Sequence, residues 1–432
     1  MVMKALTAFV CEHIGDDVTR LVMNRKKYPE IDMDLAVNCI ESRRKLQGKV
    51  QEWYDEPELI FPRKLSAEQC SSSATGRYKA DLAERIATGG LKEAWKIADL
   101  TGGLGVDSWF FSSKASQVLY CEMLPELCRA ADHNFTVLSA SDITVRNVAV
   151  WDKSDDVTAG ESIFQSPTEI LSQFSPDIVY MDPARRGDGG KKVFLIEDCT
   201  PDVLKLKDEI FAISRHILIK LSPMADISMV CDRLGSTCRE VHVVAAGGEC
   251  KELLVWMDRE WNAEYDIHAV ELQKDGNCST FSFRPSEERS SSSYTPASGM
   301  LNMKDQYKAG YLFEPGKALM KAGAFNLTSE RFGLHKLGRS THYYIFNDAD
   351  MVVSLKGHGK VFRIIRCEPL DKRTMKVSGK EFPHSEVTAR NIPMDTETLR
   401  KRMGVTSGDD AHIFGLKSDS EGALLLITTP LR

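Results

Sequence analysis

The sequence has no run of about 18 consecutive apolar residues, so a membrane-spanning helix is not expected. It has no Cys-x-x-Cys and no His-Glu-x-x-His, and its ten histidines form no cluster at ligand spacing, so no metal is assigned. Its eleven cysteines are odd in number and scattered, which fits reduced thiols better than a disulfide framework. The first residues, MVMKALTAFVCEHIGDD, reach acidic side chains before any long apolar run and show no small-residue cleavage site. A secretory leader is therefore not expected, and a cytoplasmic location is. No internal repeat is visible.

What is present reads as a globular chain. Hydrophobic residues make up 42% and charged residues 27%, near globular averages, and 432 residues suggest two to four domains. The formal charge of −6 hides an asymmetry. Lys356 to Arg402 holds 12 Lys and Arg against 6 Asp and Glu, a local +6 on a body that carries the remaining −12. Such a segment either meets an anionic partner such as nucleic acid or is simply a solvated basic face.

Residues 1–88 read as helical. Leu6, Phe9, Val10 and Ile14 fall near helical spacing, as do Ala36, Val37 and Ile40 after a cap at Asp32. A loop around Ser71–Ser73 then feeds a helix starting near Ala74. From about residue 94, short apolar runs alternate with helical stretches: 95–100, 117–121, 143–150, 177–181, 216–221, 240–246 and 252–258. That alternation predicts a doubly wound α/β domain with a mostly parallel sheet. The last two runs are too close for a crossover and should form an antiparallel hairpin. Pro125 suits the first turn of a helix whose apolar face carries Leu127, Ala131, Phe135 and Leu138. Beyond Trp261 the pattern becomes α+β, with a low-complexity loop at 287–299 and a final strand at 423–429.

Two motifs carry chemistry. In Asp99-Leu100-Thr101-Gly102-Gly103-Leu104-Gly105-Val106-Asp107 a strand gives way to a helix, and glycines there let a ligand approach the backbone. Glu122 ends the next strand, at the roughly 20-residue offset where a carboxylate can hold ribose hydroxyls. Ser108 takes the place of the third glycine of G-x-G-x-x-G, so the nicotinamide fingerprint fits poorly. The second motif, Asp182-Pro183-Ala184-Arg185-Arg186-Gly187, follows the fourth strand and should face the same crevice. A carboxylate there can accept a hydrogen bond from a substrate amino group, and the proline stiffens the loop that aims it.

With these motifs in this order, residues 94–258 resemble a class I (Rossmann-like) S-adenosylmethionine-dependent methyltransferase. The whole chain is similar to a bacterial group that adds a helical N-terminal region, a ferredoxin-like domain and a THUMP-like C-terminal domain. LSAEQCSSSATGRYKADL, DLTGGLGVDS, YMDPARR, IEDCTPDV, IKLSPMADI, GGECKEL and VTARNIPMDTETLRKRMGV carry the likeness. It implies a seven-stranded, mostly parallel sheet with a terminal antiparallel hairpin. It also implies four domains: helical (1–88), methyltransferase (89–260), ferredoxin-like α+β (261–350) and THUMP-like (351–432).

The resemblance also assigns roles. Asp99, Thr101, Gly102, Gly103, Gly105 and Asp107 would bind S-adenosylmethionine with Glu122 on the ribose and Asp152, or its rival Asp155, near the adenine. Asp182, Pro183 and Arg185 would form the acceptor site. Thr101 replaces the first glycine of D/E-x-G-x-G-x-G, and Ala184-Arg185 replaces the Pro-aromatic pair usual in amino-methylating enzymes, which leaves the target atom open. Arg185 or Arg186 could stack on a base or hold a phosphate. A carbon target would need a thiolate, with Cys121, Cys199 and Cys250 nearest in sequence, although buried cysteines of that kind are common in cores.

The loop Gln69–Ser72 either covers the methionine end of the cofactor or caps the following helix. Lys220 and Ser222 could reach substrate from a strand end, and Glu249 and Lys251 either border the crevice or decorate a turn. The appended modules favour a large substrate. A base in ribosomal or transfer RNA is therefore the expected methyl acceptor, flipped out to reach the crevice. The alternatives are a small-molecule or protein methyltransferase, and a catalytically weak cofactor- and RNA-binding module.

Overall fold

The computed structural model describes residues 2–89, 94–151, 164–185, 195–291 and 310–431. They form two compact units, Met1–Val241 with Glu252–Ala263, and His242–Lys251 with Glu264–Arg432.

The first unit opens with helices α1 (Val2–Glu12), α2 (Met33–Leu46) and α3 (Ser73–Thr88). Asp32 caps α2 by accepting the Leu35 N–H at 3.1 Å, while Ala36 and Ile40 turn inward. Ile14 lies past the end of α1, so the expected apolar stripe is one turn shorter. Ser72 and Thr75 cap α3 reciprocally. The segment between α2 and α3 is held to the rest of the unit by side chains. Asn134 brackets Ile60 with two hydrogen bonds (2.8 and 2.9 Å), and the buried Arg43 donates to the carbonyls of Tyr54, Glu56, Pro57 and Leu59.

The sheet strands are β1 (Lys96–Asp99), β2 (Gln117–Glu122), β3 (Ile143–Asn147), β4 (Ile178–Met181), β5 (His216–Leu221), β6 (Cys238–Ala246) and β7 (Glu249–Asp258). In the first unit they run β3-β2-β1-β4-β5-β7, with the base of β6 outside β7. Pairing is parallel from β3 to β5 and antiparallel between β5 and β7. β4 is buried along its whole length, as a strand covered by helices on both faces must be. α4 (Val106–Ser112) and α5 (Pro125–Val137) follow β1 and β2, and α6 (Val203–Phe211) and α7 (Ile227–Leu234) precede and follow β5. The apolar run at 143–150 does not stay one strand. Asn147 donates its side-chain amide to the carbonyls of Glu122 and Met123, and Ala149–Val150 then pairs instead with Phe164–Gln165. Because the chain leaves β1 for β2 on one side and returns to β4 on the other, the carboxyl ends of β1 and β4 lie side by side at a topological switch point.

β6 and β7 are joined through Gly247 and Gly248 alone, both with positive φ (61° and 82°), the conformation that lets a two-residue turn match the twist of its strands. In the second unit β8 (Asp266–Leu272) lies beside β6, where the rings of His242 and His268 stack at 4.5 Å, and pairs antiparallel with β9 (Cys278–Phe283). Glu287 to Ser290, read as loop from the sequence, instead finish a short helix, Pro285–Ser290. Pro285 opens it, and the Glu287 carboxylate accepts the Arg284 N–H at 2.7 Å. The rest of that low-complexity stretch, from residue 292, lies outside the described residues.

A separate sheet contains β10 (Tyr311–Pro315), β11 (His335–Lys336), β12 (Tyr344–Phe346), β13 (Gly359–Pro369), β14 (His384–Arg390), β15 (Thr406–Ser418) and β16 (Gly422–Pro430), ordered β11-β12-β10-β13-β16-β15-β14. The unbroken apolar run in β16 is explained by burial on both faces. Leu424 and Leu426 join Leu312, Phe362 and Phe414 on one side. Leu425 and Ile427 join Met375, Leu399 and Met403 of helices α8 (Lys372–Glu381) and α9 (Thr396–Met403) on the other.

Helices α8 and α9 touch where Gly379 meets the backbone of Met403, and a Cβ there would collide with that carbonyl. Gly379→Ala should therefore destabilise the protein by about 1–3 kcal/mol through overpacking, read as a lower urea midpoint at unchanged slope. An unaltered midpoint would show that the helices can part at no cost.

Candidate functional site

The site is built where β1 and β4 end. Asp99 closes β1 with 1% of its surface exposed. Its carboxylate accepts the Ser108 hydroxyl at 2.6 Å and the Thr101 N–H at 3.0 Å. Burial lifts its pKa to about 7, and the nearby charges of Asp107 and Asp182 act in the same direction, while those two hydrogen bonds hold it down.

The three glycines after it do different jobs. Gly102 abuts the Tyr120 ring so closely that any side chain would clash, and its N–H donates to the Cys121 carbonyl at 2.8 Å. Gly105, at φ 93°, lies against Phe135. Only Gly103 opens onto space: a Cβ there would meet nothing nearer than the Thr101 carbonyl at 3.7 Å. The Tyr120 hydroxyl donates to the Gly103 carbonyl at 2.7 Å and holds the turn from beneath. Glu122 holds it from the end of β2. One carboxylate oxygen accepts the Gly103 N–H at 2.9 Å, and the other accepts the Leu124 N–H at 2.8 Å. Burial raises the Glu122 pKa against these backbone bonds, and each oxygen keeps a lone pair for a further donor.

Thr101 connects the two motifs. Its hydroxyl accepts the backbone N–H of Asp182 at 2.6 Å, so the glycine turn and the Asp182 loop are fastened together. The Asp182 side chain is 38% exposed and lies 2.5 Å from the Lys220 ammonium on β5. Pro183 is buried, and Ala184–Arg185 forms a short antiparallel ladder with Cys199–Thr200. Asp152, Asp155 and Arg186 lie outside the described residues, and the same holds for the side chain of Arg185.

Beneath the turn is a charged cluster that the motifs did not reveal. Lys79 of α3 has no exposed surface, and its ammonium lies 2.9 and 3.0 Å from the two Glu252 oxygens, 3.2 Å from Asp107 and 2.8 Å from the Ser71 hydroxyl. Asp107 also accepts the Ser71 hydroxyl at 3.0 Å and the Tyr180 hydroxyl at 2.8 Å. Burial alone would raise the Asp107 pKa, but the Lys79 and Lys220 ammoniums outweigh it and hold it below the ordinary value. In the loop 69–72, Ser72 caps α3, as one of the two readings expects, and Ser71 reaches Asp107. Lys79 could have been found from its place on the buried face of α3 among Thr75, Gly76, Ala80, Ala83 and Ile86. Glu252 heads the otherwise apolar inner part of β7.

The thiols do not suit nucleophilic work here. Cys121 and Cys199 are fully buried, and burial drives the Cys121 pKa far up. Cys250, with the exposed Glu249–Lys251 ion pair (2.7 Å), belongs to the second unit. No helix among the described residues is long and apolar enough to cross a membrane.

A family model described as a ferredoxin-like domain matches residues 311–350, and one described as THUMP domain-like matches 359–430. A crystal structure assigned as a methyltransferase from Porphyromonas gingivalis W83 is 30% identical over 100% of this chain and 98% of its own, with a TM-score of 0.80. An rRNA methylase from Streptococcus thermophilus is similar at 9% identity over 41% of this chain and 93% of its own. A precorrin-6y C5,15-methyltransferase from Geobacter metallireducens is similar at 12% over 42% and 87%. With TM-scores of 0.28 and 0.25, those two likenesses carry no weight. No curated protein matches.

Asp99 provides a direct handle on the site's electrostatics. A carboxyl held at about 7 in the fold, against an unfolded value near 4, keeps its proton longer when folded. Its contribution to stability is therefore full below pH ~4 and lost as pH rises through about 7. Relative to Asp99→Asn, the wild type should lose a few kcal/mol of unfolding free energy between pH 5 and pH 8. Parallel urea-derived curves for the two proteins would contradict this.

Proposed function

This chain belongs to the methyltransferase family of the Porphyromonas gingivalis protein, and from that premise we propose that it moves the methyl group of S-adenosylmethionine to a base in ribosomal or transfer RNA. The observation that carries the cofactor assignment is the charge around the glycine turn. Asp99, Asp107, Glu122, Asp182 and Glu252 surround the carboxyl ends of β1, β2, β4 and the inner part of β7, and among the described residues Lys79 and Lys220 oppose them. Asp107 stands in the first turn of α4, where a dinucleotide would need to place its pyrophosphate, and a carboxylate there repels one. A sulfonium with an ammonium tail suits such a surround.

The residues fit that cofactor. Gly103 leaves room for it, and the free lone pairs of Glu122 suit ribose hydroxyls. Asp99 and the turn Thr101–Gly105 would line its methionine end, with Asp107 beside them. When bound, it supplies an electrophilic methyl group. The protein's part is alignment and exclusion of water. Asp182, clamped through its backbone by Thr101, presents a carboxylate beside the turn to orient an acceptor. Pro183 stiffens the loop behind it.

RNA as the substrate is supported by the THUMP domain-like match and by the exposed cations of α8, where Lys372, Arg373, Lys376 and Lys380 all face solvent.

Labelled cofactor incubated with total RNA from a strain lacking the gene should mark one RNA species. Asp182→Ala should cut that transfer by about 10²-fold or more while cofactor affinity stays nearly unchanged. Glu122→Ala should weaken cofactor binding by about 1–3 kcal/mol, a tenfold to hundredfold rise in Kd by calorimetry. Label appearing in protein or metabolite extracts instead would overturn the RNA assignment, and transfer persisting in Asp182→Ala would move the acceptor site elsewhere.

A further inference from the structure

We propose that Lys220 is the positioning residue of the acceptor site, fixing Asp182 so that one carboxylate oxygen is committed to its ammonium and the other is left to receive an N–H of the methyl acceptor. This rests on the methyl-transfer reading above and narrows it to acceptors that bring a nitrogen-bound hydrogen: an exocyclic amino group or a ring N–H.

The geometry is specific. Lys220 lies near the end of β5, next to β4 in the parallel ladder, and its ammonium is 2.5 Å from Asp182 Oδ2. Its side chain is 12% exposed, so it is not a solvated lysine that happens to lie near a carboxylate. A buried ammonium is costly unless it is paired, and here the pairing comes from several elements. Among the described residues Asp182 faces it from the loop after β4, Asp107 from α4 and Glu252 from β7, and Cys70 also interacts with it electrostatically. Burial pulls the Lys220 pKa down, but Asp182, Asp107 and Glu252 together outweigh it and hold the group charged.

The consequence for Asp182 is directional. A free carboxylate can rotate and accept from either oxygen; one tied to a buried ammonium cannot. Its backbone is also pinned by Thr101, so both ends of the residue are fixed. Methylation of an amino nitrogen forms one N–C bond as one S–C bond breaks and leaves a surplus proton on nitrogen. That proton passes to water along the open oxygen of Asp182.

The test uses the full chain with labelled S-adenosylmethionine and the RNA described above, comparing wild type, Lys220→Arg, Lys220→Met, Asp182→Asn and the Met/Asn double variant. Lys220→Met should lower kcat by about tenfold to hundredfold with the cofactor KM nearly unchanged. Lys220→Arg should restore most of the rate. In urea unfolding the double variant should be less destabilised than the two single variants together predict. If Lys220→Met does not fold, Lys220→Gln carries the same comparison. A loss that Lys220→Arg does not relieve, or additive stabilities, would make Lys220 a structural residue and overturn the inference alone. Stabilities that couple while wild type transfers methyl to no RNA, protein or metabolite would overturn the methyl-transfer reading, and the inference with it.

Discussion

The first unit depends on one buried cation. Lys79 has no exposed surface, and its ammonium is held by Glu252 from the last strand of the sheet, Asp107 from the helix after the glycine turn and Ser71 from the loop before α3. Taking those charges out of water costs several kcal/mol per ion, and only close pairing from several sides offsets it. The helical N-terminal region, the turn and β7 must therefore all be in place together. Removing one partner would leave the others buried and uncompensated, typically a loss of 3–5 kcal/mol. Residues 1–88 and the sheet accordingly share one compact unit, to which the Asn134–Ile60 hydrogen bonds and the Arg85–Glu240 pair also contribute.

The same cluster shapes the chemistry next to it. With Lys79 neutralising Asp107 and Glu252 from below, and Lys220 paired to Asp182 at the rim, carboxylates outnumber cations around Gly103 among the described residues. Such a surround suits a positively charged ligand and resists a phosphate. The glycines divide the work: Gly102 and Gly105 yield room to Tyr120 and Phe135 inside the protein, and Gly103 alone yields room to a ligand. A glycine-rich turn in sequence thus stands partly for packing and partly for access.

Much of this was legible in the sequence, for identifiable reasons. The α/β alternation, the antiparallel hairpin through Gly247-Gly248, and the helices begun by Asp32, Ser72 and Pro125 all follow from period, turn residues and caps. The strands holding the two acidic motifs end where the apolar runs end. Lys79 could be read only as a charge on a buried helix face; its partners and the Thr101 clamp were not legible, because those pairings span 173, 28 or 81 residues and no local pattern announces a pairing across a fold. Thr101 looked like a lost glycine; its hydroxyl is what ties the turn to Asp182. In the second unit the helical start at Pro285 was hidden by the serines that follow it. The sheet that links residues 311–346 to 359–430 through β10 and β13 rests on long-range pairing of the same kind.

On the proposed function, the crevice between the glycine turn and Asp182 holds S-adenosylmethionine with its methyl group toward the acceptor loop. A crystal structure grown with that cofactor tests it most directly. It should place the ribose hydroxyls on Glu122, the methionine end along Asp99 to Gly105, and the methyl carbon facing Asp182. Cofactor bound elsewhere on the chain, or its absence from this crevice at saturating concentration, would contradict it.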